Sequence, residues 1–274
     1  MYRQPKFSVK IAGNITYGQG LRCADPNGGG GGGCKPMDLL LDVYSPVEAP
    51  AGTPRPAVIL MHGGGWNSGS RAHGLYDSSG FYASRGFECF SIDYRLSPDN
   101  GTYPNWALPP APGAAHLLQA EYPATRDLKA AIRFVRANAV RFGVDPDRIA
   151  LAGGSAGAIS SIAAGVVDEA DYKNELLATD PTLQTTNLNA SSAVQCVISH
   201  WGAGYGVDLL QTVGPSKRSR YSNTSSPIIG FHGDKDHEIP IAAAVAVEAA
   251  CKDLDACPGR ANPPSLKPSL GSYA

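Results

Sequence analysis

The sequence has no long apolar segment and no excess of either charge. None of its 274 residues lies in a run of 18 or more apolar residues, the length that a membrane-spanning helix requires. The formal net charge is −1, from 23 Lys and Arg against 24 Asp and Glu, and like charges do not form long runs. These absences argue against a membrane span, a polybasic membrane patch and a nucleic-acid surface.

The first twenty residues also lack the apolar core of a signal peptide, because Arg3, Lys6 and Lys10 interrupt it. A different feature favours secretion, namely the motif Asn-x-Ser/Thr that accepts N-linked glycans. This motif begins at Asn14, Asn100, Asn189 and Asn223. The sequence therefore leaves the compartment open.

Cysteine is present in modest number, and two pairs are close in the sequence. Cys23 and Cys34 flank a run of six glycines, and Cys251 and Cys257 lie near the C-terminus. Either pair could close a short loop as a disulfide, which would indicate an oxidising compartment. Six unrelated thiols are an equally good interpretation.

Length and composition favour one globular domain with a large core. Hydrophobic residues make up 43% of the chain and charged residues 17%. Strand-like and helix-like segments alternate, which predicts a mostly parallel sheet with helices on both faces and active groups at the carboxyl ends of its strands. The predicted strands are Phe7–Tyr17, Leu39–Tyr44, Ala57–Met61, Phe87–Ile92, Arg148–Ala152, Gln195–Ser199 and Ile228–Phe231, and the predicted helices are Tyr122–Phe142, Ser155–Val167 and Ile241–Cys251.

The pentapeptide Gly153-Gly154-Ser155-Ala156-Gly157 carries the strongest chemical signal. A serine hydroxyl is a poor nucleophile unless the backbone holds it out of the sheet and a base lies beside it. Glycines around a strand-to-helix turn let the backbone take the strained conformation that presents such a serine. The motif therefore predicts Ser155 as the nucleophile of an ester-cleaving site.

A second glycine-rich segment, His62-Gly63-Gly64-Gly65-Trp66, follows the predicted strand Ala57–Met61. Backbone N–H groups in such a loop can stabilise the negative oxygen of a tetrahedral intermediate. We expect the oxyanion hole to comprise the N–H groups of Gly64, Gly65 and Ala156. His62 is interpreted as a brace for the loop rather than as a base.

The third segment, Gly230 to Glu238, is dense in acidic residues and histidines and follows the strand Ile228–Phe231. An acid here would orient an imidazole and stabilise its protonated form. The spacing matches no zinc signature, so we expect no metal and no cofactor.

Together with Asp93-Tyr94-Arg95-Leu96-Ser97-Pro98, these motifs resemble the esterase and lipase branch of the α/β-hydrolase superfamily. The chain is most similar to hormone-sensitive-lipase-like carboxylesterases and feruloyl-esterase-like proteins. The resemblance implies an α/β-hydrolase fold, with Ser155 as nucleophile and Asp236 as the acid. Asp234 is the second choice for the acid, and Asp93 is structural in the family.

The catalytic histidine is missing from this pattern. In the superfamily it follows the acid and the last strand of the sheet. After Asp236 the only histidine is its neighbour His237, which cannot lie between that carboxylate and Ser155. His200 is the remaining candidate for a base from another strand. We therefore expect a single domain over residues 1–274, with a glycine-rich insertion at 22–36 and truncation after about residue 257. It would lack the C-terminal strand and helix.

Two functions of different classes follow from this pattern. The first is a serine carboxylesterase that acts on a small-molecule ester through an acyl-enzyme intermediate. The second is a non-catalytic hydrolase-fold protein that binds a small molecule. The irregular segments Leu96–His116 and Asp168–Ala193 are expected to cover the pocket. The ester and the oligomeric state are not readable from the sequence.

Overall fold

A seven-stranded, mostly parallel sheet forms the centre of the molecule in a computed structural model, which describes residues 2–24, 33–47, 52–72, 78–107, 115–212 and 214–252. The strand order is β1-β2-β4-β3-β5-β6-β7. Strands β3 to β7 run parallel, and β1 and β2 are antiparallel additions at one edge. This is the expected α/β-hydrolase fold. Residues 253–274, where a final strand and helix are predicted to be missing, lie outside the described residues.

The element bounds agree with the sequence pattern at most positions. The strands are β1 Val9–Arg22, β2 Lys35–Pro46, β3 Arg55–Met61, β4 Glu88–Ile92, β5 Val144–Gly154, β6 Cys196–His200 and β7 Ile228–Phe231. The helices are α1 Ser78–Ala83, α2 Ala115–Ala137, α3 Ala139–Phe142, α4 Ala156–Val166, α5 Tyr205–Thr212 and α6 Ile241–Lys252. Among the described residues, no helix is long and apolar enough to cross a membrane.

The helices differ from the predicted elements in three respects. The helix expected from Tyr122 begins at Ala115 and carries Pro123 inside it. It is interrupted at Asn138, and α3 then ends at Gly143, whose φ of 63° gives the left-handed cap that favours glycine. Helices α1 and α5 were not predicted, since both are short and apolar periodicity is weak over so few residues.

Strand β3 shows how the core is divided between the two faces of the sheet. Ala57, Ile59 and Met61 face a large cluster with side chains from α2 and α4. Val58 and Leu60 face a smaller cluster that includes Ala83 of α1. Side chains of a strand alternate between faces, so a continuous apolar run is required where helices cover both sides.

The antiparallel hairpin of β1 and β2 is closed by a disulfide between Cys23 and Cys34. One of the two predicted pairs is therefore formed. Cys257 of the second pair lies outside the described residues. The disulfide is tied to the segment after β4, because Cys23 N–H donates to the Asp99 carbonyl and Asn100 Nδ2 donates to the Cys23 carbonyl.

Helix α2 buries charged residues along with its apolar stripe. Residues 168–193, the segment that is expected to cover the pocket, contact this polar side of the helix. Lys129 Nζ donates to the carbonyls of Asp168, Glu169 and Asp171 at 2.6–3.3 Å, and Arg133 Nε donates to the Thr186 carbonyl. Burial lowers the pKa of Lys129 to about 7. The irregular segment thus supplies acceptors for cations that water cannot reach.

Glu121 gives this helix a pH-dependent stability. Its side chain is buried, one oxygen accepts from Thr125 Oγ1 at 3.0 Å, and the other has no partner among the described residues. Burial raises the pKa from 4.5 to about 7, and the Thr125 bond opposes this only in part. Because the folded pKa exceeds the unfolded one, the stabilisation is complete below pH 4.5 and is lost as the pH rises through 7.

We expect Glu121→Gln to gain stability relative to the wild type as the pH rises from about 5 to about 8, by up to about 3 kcal/mol. The amide stays neutral and keeps the acceptor for Thr125. Urea unfolding across this pH range measures the difference. A constant difference at all pH values would show that the Glu121 carboxyl is ionised throughout.

Candidate active site

Loops that follow four parallel strands meet at the carboxyl edge of the sheet. They are residues 62–69 after β3, Ser155 after β5, the segment after His200 at the end of β6, and residues 232–240 after β7. Parallel strands present their carboxyl ends on one side, which is where ligands bind in open α/β sheets. Three of the sequence-predicted segments are thus brought to one edge.

Ser155 lies alone between the end of β5 and the start of α4. Its φ of 53° and ψ of −124° are outside the helical and extended regions that a residue with a Cβ ordinarily adopts. Such a conformation costs about 1–3 kcal/mol and is retained mostly at functional sites. Its N–H donates to the His200 carbonyl at 3.0 Å, which fixes the turn against β6.

The glycines on both sides of Ser155 are required by close backbone approaches. A Cβ at Gly153 would lie 2.4 Å from the carbonyl carbon of Gly157. A Cβ at Gly157 would lie 2.1 Å from the Met61 carbonyl oxygen at the end of β3. Glycine at these positions therefore allows α4 to start directly against the two central strands.

The glycine loop after β3 lies against Ser155. A Cβ at Gly63 would be 3.3 Å from the Ser155 Cβ. Gly64 and Gly65 have φ values of 105° and 60°, and the Gly64 carbonyl accepts two backbone N–H bonds that close the turn. Among the described residues, the N–H groups of Gly64, Gly65 and Ala156 have no acceptor. Three backbone donors therefore remain available beside the serine.

His62 supports this loop through contacts of its side chain and its carbonyl, which agrees with its interpretation as structural. The imidazole is 4% exposed and stacks on the Tyr94 ring, with centroids 4.3 Å apart. The Tyr94 hydroxyl donates to the His62 carbonyl at 3.0 Å, and His62 Nδ1 lies 2.7 Å from the Gly63 carbonyl oxygen. These contacts fix the direction of the peptide groups in the loop.

Trp66 ties the far end of the same loop to the serine helix. Its indole N–H donates to Ser160 Oγ on α4 at 3.1 Å, and both side chains are buried. The Trp66 carbonyl accepts from the Ser97 N–H at 2.6 Å. The sequence does not predict these roles of Tyr94 and Ser160, because their partners are distant along the chain and no local pattern indicates the contacts.

Asp236 lies after β7 at the expected edge, and its carboxylate is bound within its own loop. Oδ1 accepts the N–H groups of Glu238 and Ile239, each at 2.9 Å. Oδ2 lies 3.6 Å from His232 Nε2. The bond from Ile239 is the main cause that lowers the pKa of Asp236, so the group is ionised at neutral pH. Asp234 is exposed.

No imidazole among the described residues is hydrogen-bonded to the Ser155 hydroxyl. The His200 ring stacks on Phe231 of β7, with centroids 5.2 Å apart, and burial lowers its pKa. His232 Nε2 lies 2.6 Å from the Ile239 carbonyl oxygen, and its buried Nδ1 has no described partner. His73 and the side chain of His116 lie outside the described residues.

A cavity of about 410 Å³ lies between α5 and α6, and Ser155 does not line it. Its walls include Gly204, Asp208, Tyr221 and Val247. The pocket expected to open at the Ser155 hydroxyl therefore stays a prediction. Asp93, which was expected to be structural, pairs with Arg71 beside Asp42.

Comparison with known proteins gives a family match over most of the chain. The family model described as BD-FAE matches residues 41–106 and 115–223. These ranges include the glycine loop, Ser155 and β6, and they end before β7 and the loop that carries Asp236.

The chain is also similar to two named esterases of Mycobacterium tuberculosis. It is 28% identical to esterase LipQ over 257 residues, which cover 84% of this chain and 52% of LipQ. It is 30% identical to esterase LipC over 231 residues, which cover 75% of this chain and 50% of LipC. The chain thus spans about half the length of these curated relatives.

Among solved structures, the chain resembles a thermophilic esterase, Est2, from the planctomycete Thermogutta terrifontis. The butyrate-bound form aligns with a TM-score of 0.59 at 25% sequence identity. The alignment covers 81% of this chain and 77% of Est2. The similarity therefore extends over most of both molecules.

Proposed function

The chain belongs to the BD-FAE family within the α/β-hydrolase superfamily, and on that premise we propose that it cleaves carboxylic esters with Ser155 as nucleophile. The observation that carries the proposal is the position of Ser155. It occupies a strained turn beside three backbone N–H groups that have no acceptor among the described residues. Preorganised donors of this kind stabilise the negative oxygen that forms during acyl transfer.

In the proposed reaction the Ser155 oxygen attacks the ester carbonyl carbon. The carbonyl oxygen then carries negative charge and accepts from the N–H groups of Gly64, Gly65 and Ala156. The braces by Tyr94 and Trp66 hold these donors in place before substrate binds. Collapse of the intermediate breaks the ester C–O bond and leaves an acyl group on Ser155, and the leaving oxygen takes up the proton that the Ser155 hydroxyl lost. Water then removes the acyl group as the carboxylic acid and returns a proton to Ser155.

Asp236 is proposed as the acid of the triad, because it follows the last described strand and is ionised. Its Oδ1 is fixed by two backbone N–H groups, which leaves Oδ2 to face an imidazole. Among the described histidines, the imidazole of His232 lies 3.6 Å from Oδ2, and it is not hydrogen-bonded to the Ser155 hydroxyl. The reaction therefore requires a base that the described residues do not bring to the serine.

The substrate class is proposed from the relatives. LipQ and LipC are named esterases, and the Est2 structure holds butyrate. We propose a small carboxylic ester as the substrate of this chain.

A cysteine at position 155 tests the nucleophile without requiring a base. The thiol is partly ionised at neutral pH, and a helix N-terminus favours the thiolate. We expect Ser155→Cys to be acetylated by p-nitrophenyl acetate about 10²-fold faster than an ordinary exposed thiol, since the oxyanion donors act on the same intermediate. Mass spectrometry of the protein locates and times the acetyl group.

The matched control is Ser216→Cys, because Ser216 is exposed and belongs to none of the glycine-rich motifs of the site. Titration of each thiol with iodoacetamide corrects for differences in pKa. Equal acetylation of both thiols after this correction would remove the support for Ser155 as nucleophile and for the three N–H donors.

One observation favours the second function, a non-catalytic protein that binds a small molecule. The Ser155 hydroxyl has no hydrogen-bonded imidazole among the described residues, and His200 is stacked against Phe231. A binding protein would keep the oxyanion donors and bind an ester or carboxylate without turnover. A ligand such as butyrate that raises the melting temperature, together with an absence of turnover, would support this function.

A further inference from the structure

Two of the four Asn-x-Ser/Thr motifs place their asparagine in an exposed reverse turn. Asn189 and Asn223 are both exposed, and their turns are closed by backbone hydrogen bonds of 2.9 and 3.1 Å. Neither side-chain amide is bonded to a described residue. Surface turns of this kind are where a bulky glycan is compatible with the folded chain.

The other two motifs are engaged in the fold. Asn100 Nδ2 donates to the Cys23 carbonyl at 3.1 Å, directly beside the disulfide. Asn14 is exposed but lies inside strand β1, and its side-chain oxygen accepts from Arg71, which is itself paired with Asp42. A glycan on Asn100 would have to leave the amide beside the Cys23 carbonyl and the disulfide, where Nδ2 already donates a hydrogen bond. One on Asn14 would crowd this ionic cluster.

The two exposed turns lie at the edge of the sheet opposite the candidate active site. Asn189 comes shortly before β6 and Asn223 shortly before β7, so both turns are at the amino ends of parallel strands. Ser155 is at the carboxyl edge. Ala137, at the C-terminal end of α2, lines the same cavity as Asn189, which places that turn on the amino side. Groups attached here would leave the approach to Ser155 open.

The disulfide between Cys23 and Cys34 supplies an independent indication of the compartment. Disulfides form and persist in oxidising, secretory environments, where N-glycosylation also takes place. We propose that Asn189 and Asn223 are N-glycosylation sites, and that Asn14 and Asn100 are not occupied in the folded protein. This assignment does not depend on the proposed esterase activity.

The modification requires a lipid diphosphate-linked oligosaccharide and an oligosaccharyltransferase. The side-chain Nδ2 forms a bond to C1 of the first N-acetylglucosamine, and the bond from that carbon to the phosphate oxygen breaks. The amide loses one proton, and the lipid diphosphate leaves. The amide carbonyl is unchanged, so an exposed asparagine keeps its backbone geometry.

The test is to express the full 274-residue chain behind a cleavable secretion signal in yeast and to purify it from both the cells and the medium. Material with the native disulfide and cooperative unfolding is treated with peptide N-glycosidase in heavy-oxygen water. This treatment converts each glycosylated asparagine to labelled aspartate, which peptide mapping then locates. We expect the label at residues 189 and 223 alone.

Single substitutions give a second readout on intact protein. Asn189→Gln and Asn223→Gln should each lose the mass of one glycan, and Asn187→Gln, a neighbouring asparagine outside any motif, should lose none. Absence of label at 189 and 223, or label at Asn100 in the folded fraction, would overturn the assignment. Because peptide mapping reads the unsubstituted chain directly, the result does not depend on whether a variant folds.

Discussion

The 274-residue chain is expected to hydrolyse p-nitrophenyl acetate several orders of magnitude more slowly than an intact esterase, and Ser155→Ala is expected to change that rate little. Without a base, a serine hydroxyl stays protonated at neutral pH and acylates slowly. Loss of one triad member leaves only about 10³–10⁴-fold acceleration over water, from the oxyanion hole and binding. Among the described residues, no imidazole is hydrogen-bonded to the Ser155 hydroxyl.

The measurement compares initial rates of the wild type, Ser155→Ala and His200→Ala, with Est2 as the intact reference. Fast turnover that Ser155→Ala abolishes would contradict the expectation that the base is missing. If His200→Ala abolished it as well, His200 would be the base, and its ring would have to leave Phe231. In either case the acetylation of Ser155→Cys still tests the nucleophile separately.

Asp127→Ala should lower the free energy of unfolding by about 3–5 kcal/mol. Asp127 accepts from Arg95 Nη2 at 2.6 Å, from Arg95 Nε at 2.9 Å and from the Arg95 N–H at 3.0 Å. Both side chains are almost fully buried, with 0% and 2% exposed. Removal of the carboxylate leaves a guanidinium with Asp180 at 3.8 Å as its nearest remaining charge partner among the described residues. The expected loss of stability is therefore the free-energy cost of leaving the Arg95 guanidinium buried without the Asp127 carboxylate that neutralises it.

The control is Asp145→Ala, which removes a partner of the exposed Arg148. An exposed pair of this kind contributes about 0–1 kcal/mol, since water solvates both charges when they separate. Urea unfolding of the oxidised protein gives both values under one condition. Equal losses for Asp127→Ala and Asp145→Ala would contradict the importance assigned to burial.

The local sequence was sufficient to predict those elements that are specified by adjacent residues. The continuous apolar run of β3 predicts burial on both faces, and both faces are covered. Gly143 predicts the end of the preceding helix, and it has the left-handed conformation that ends it. The five-residue motif around Ser155 predicts a strand, a sharp turn and a helix in that order, because its glycines permit the close backbone approaches that such a turn requires.

Helix α2 shows where periodicity stops being informative. Its charged residues indicate an exposed polar face, yet residues 121–135 are buried throughout. The segment 168–193 covers that face and presents its carbonyls to Lys129 and Arg133. An irregular segment has no periodic pattern that predicts its packing partner, so the contact between residues 168–193 and α2 could not be predicted from the sequence.

The sequence by itself determined the fold family and the order of the candidate active-site motifs, because strands, turns and glycine loops are specified by adjacent residues. Tertiary structure alone decided that Cys23 pairs with Cys34, that Tyr94 and Ser160 brace the glycine loop, and that Asn189 and Asn223 lie in exposed turns. It also decided that Asp236 Oδ2 lies 3.6 Å from His232 Nε2. Each of these contacts joins segments that are distant along the chain, and the packing of the whole sheet determines where such segments meet.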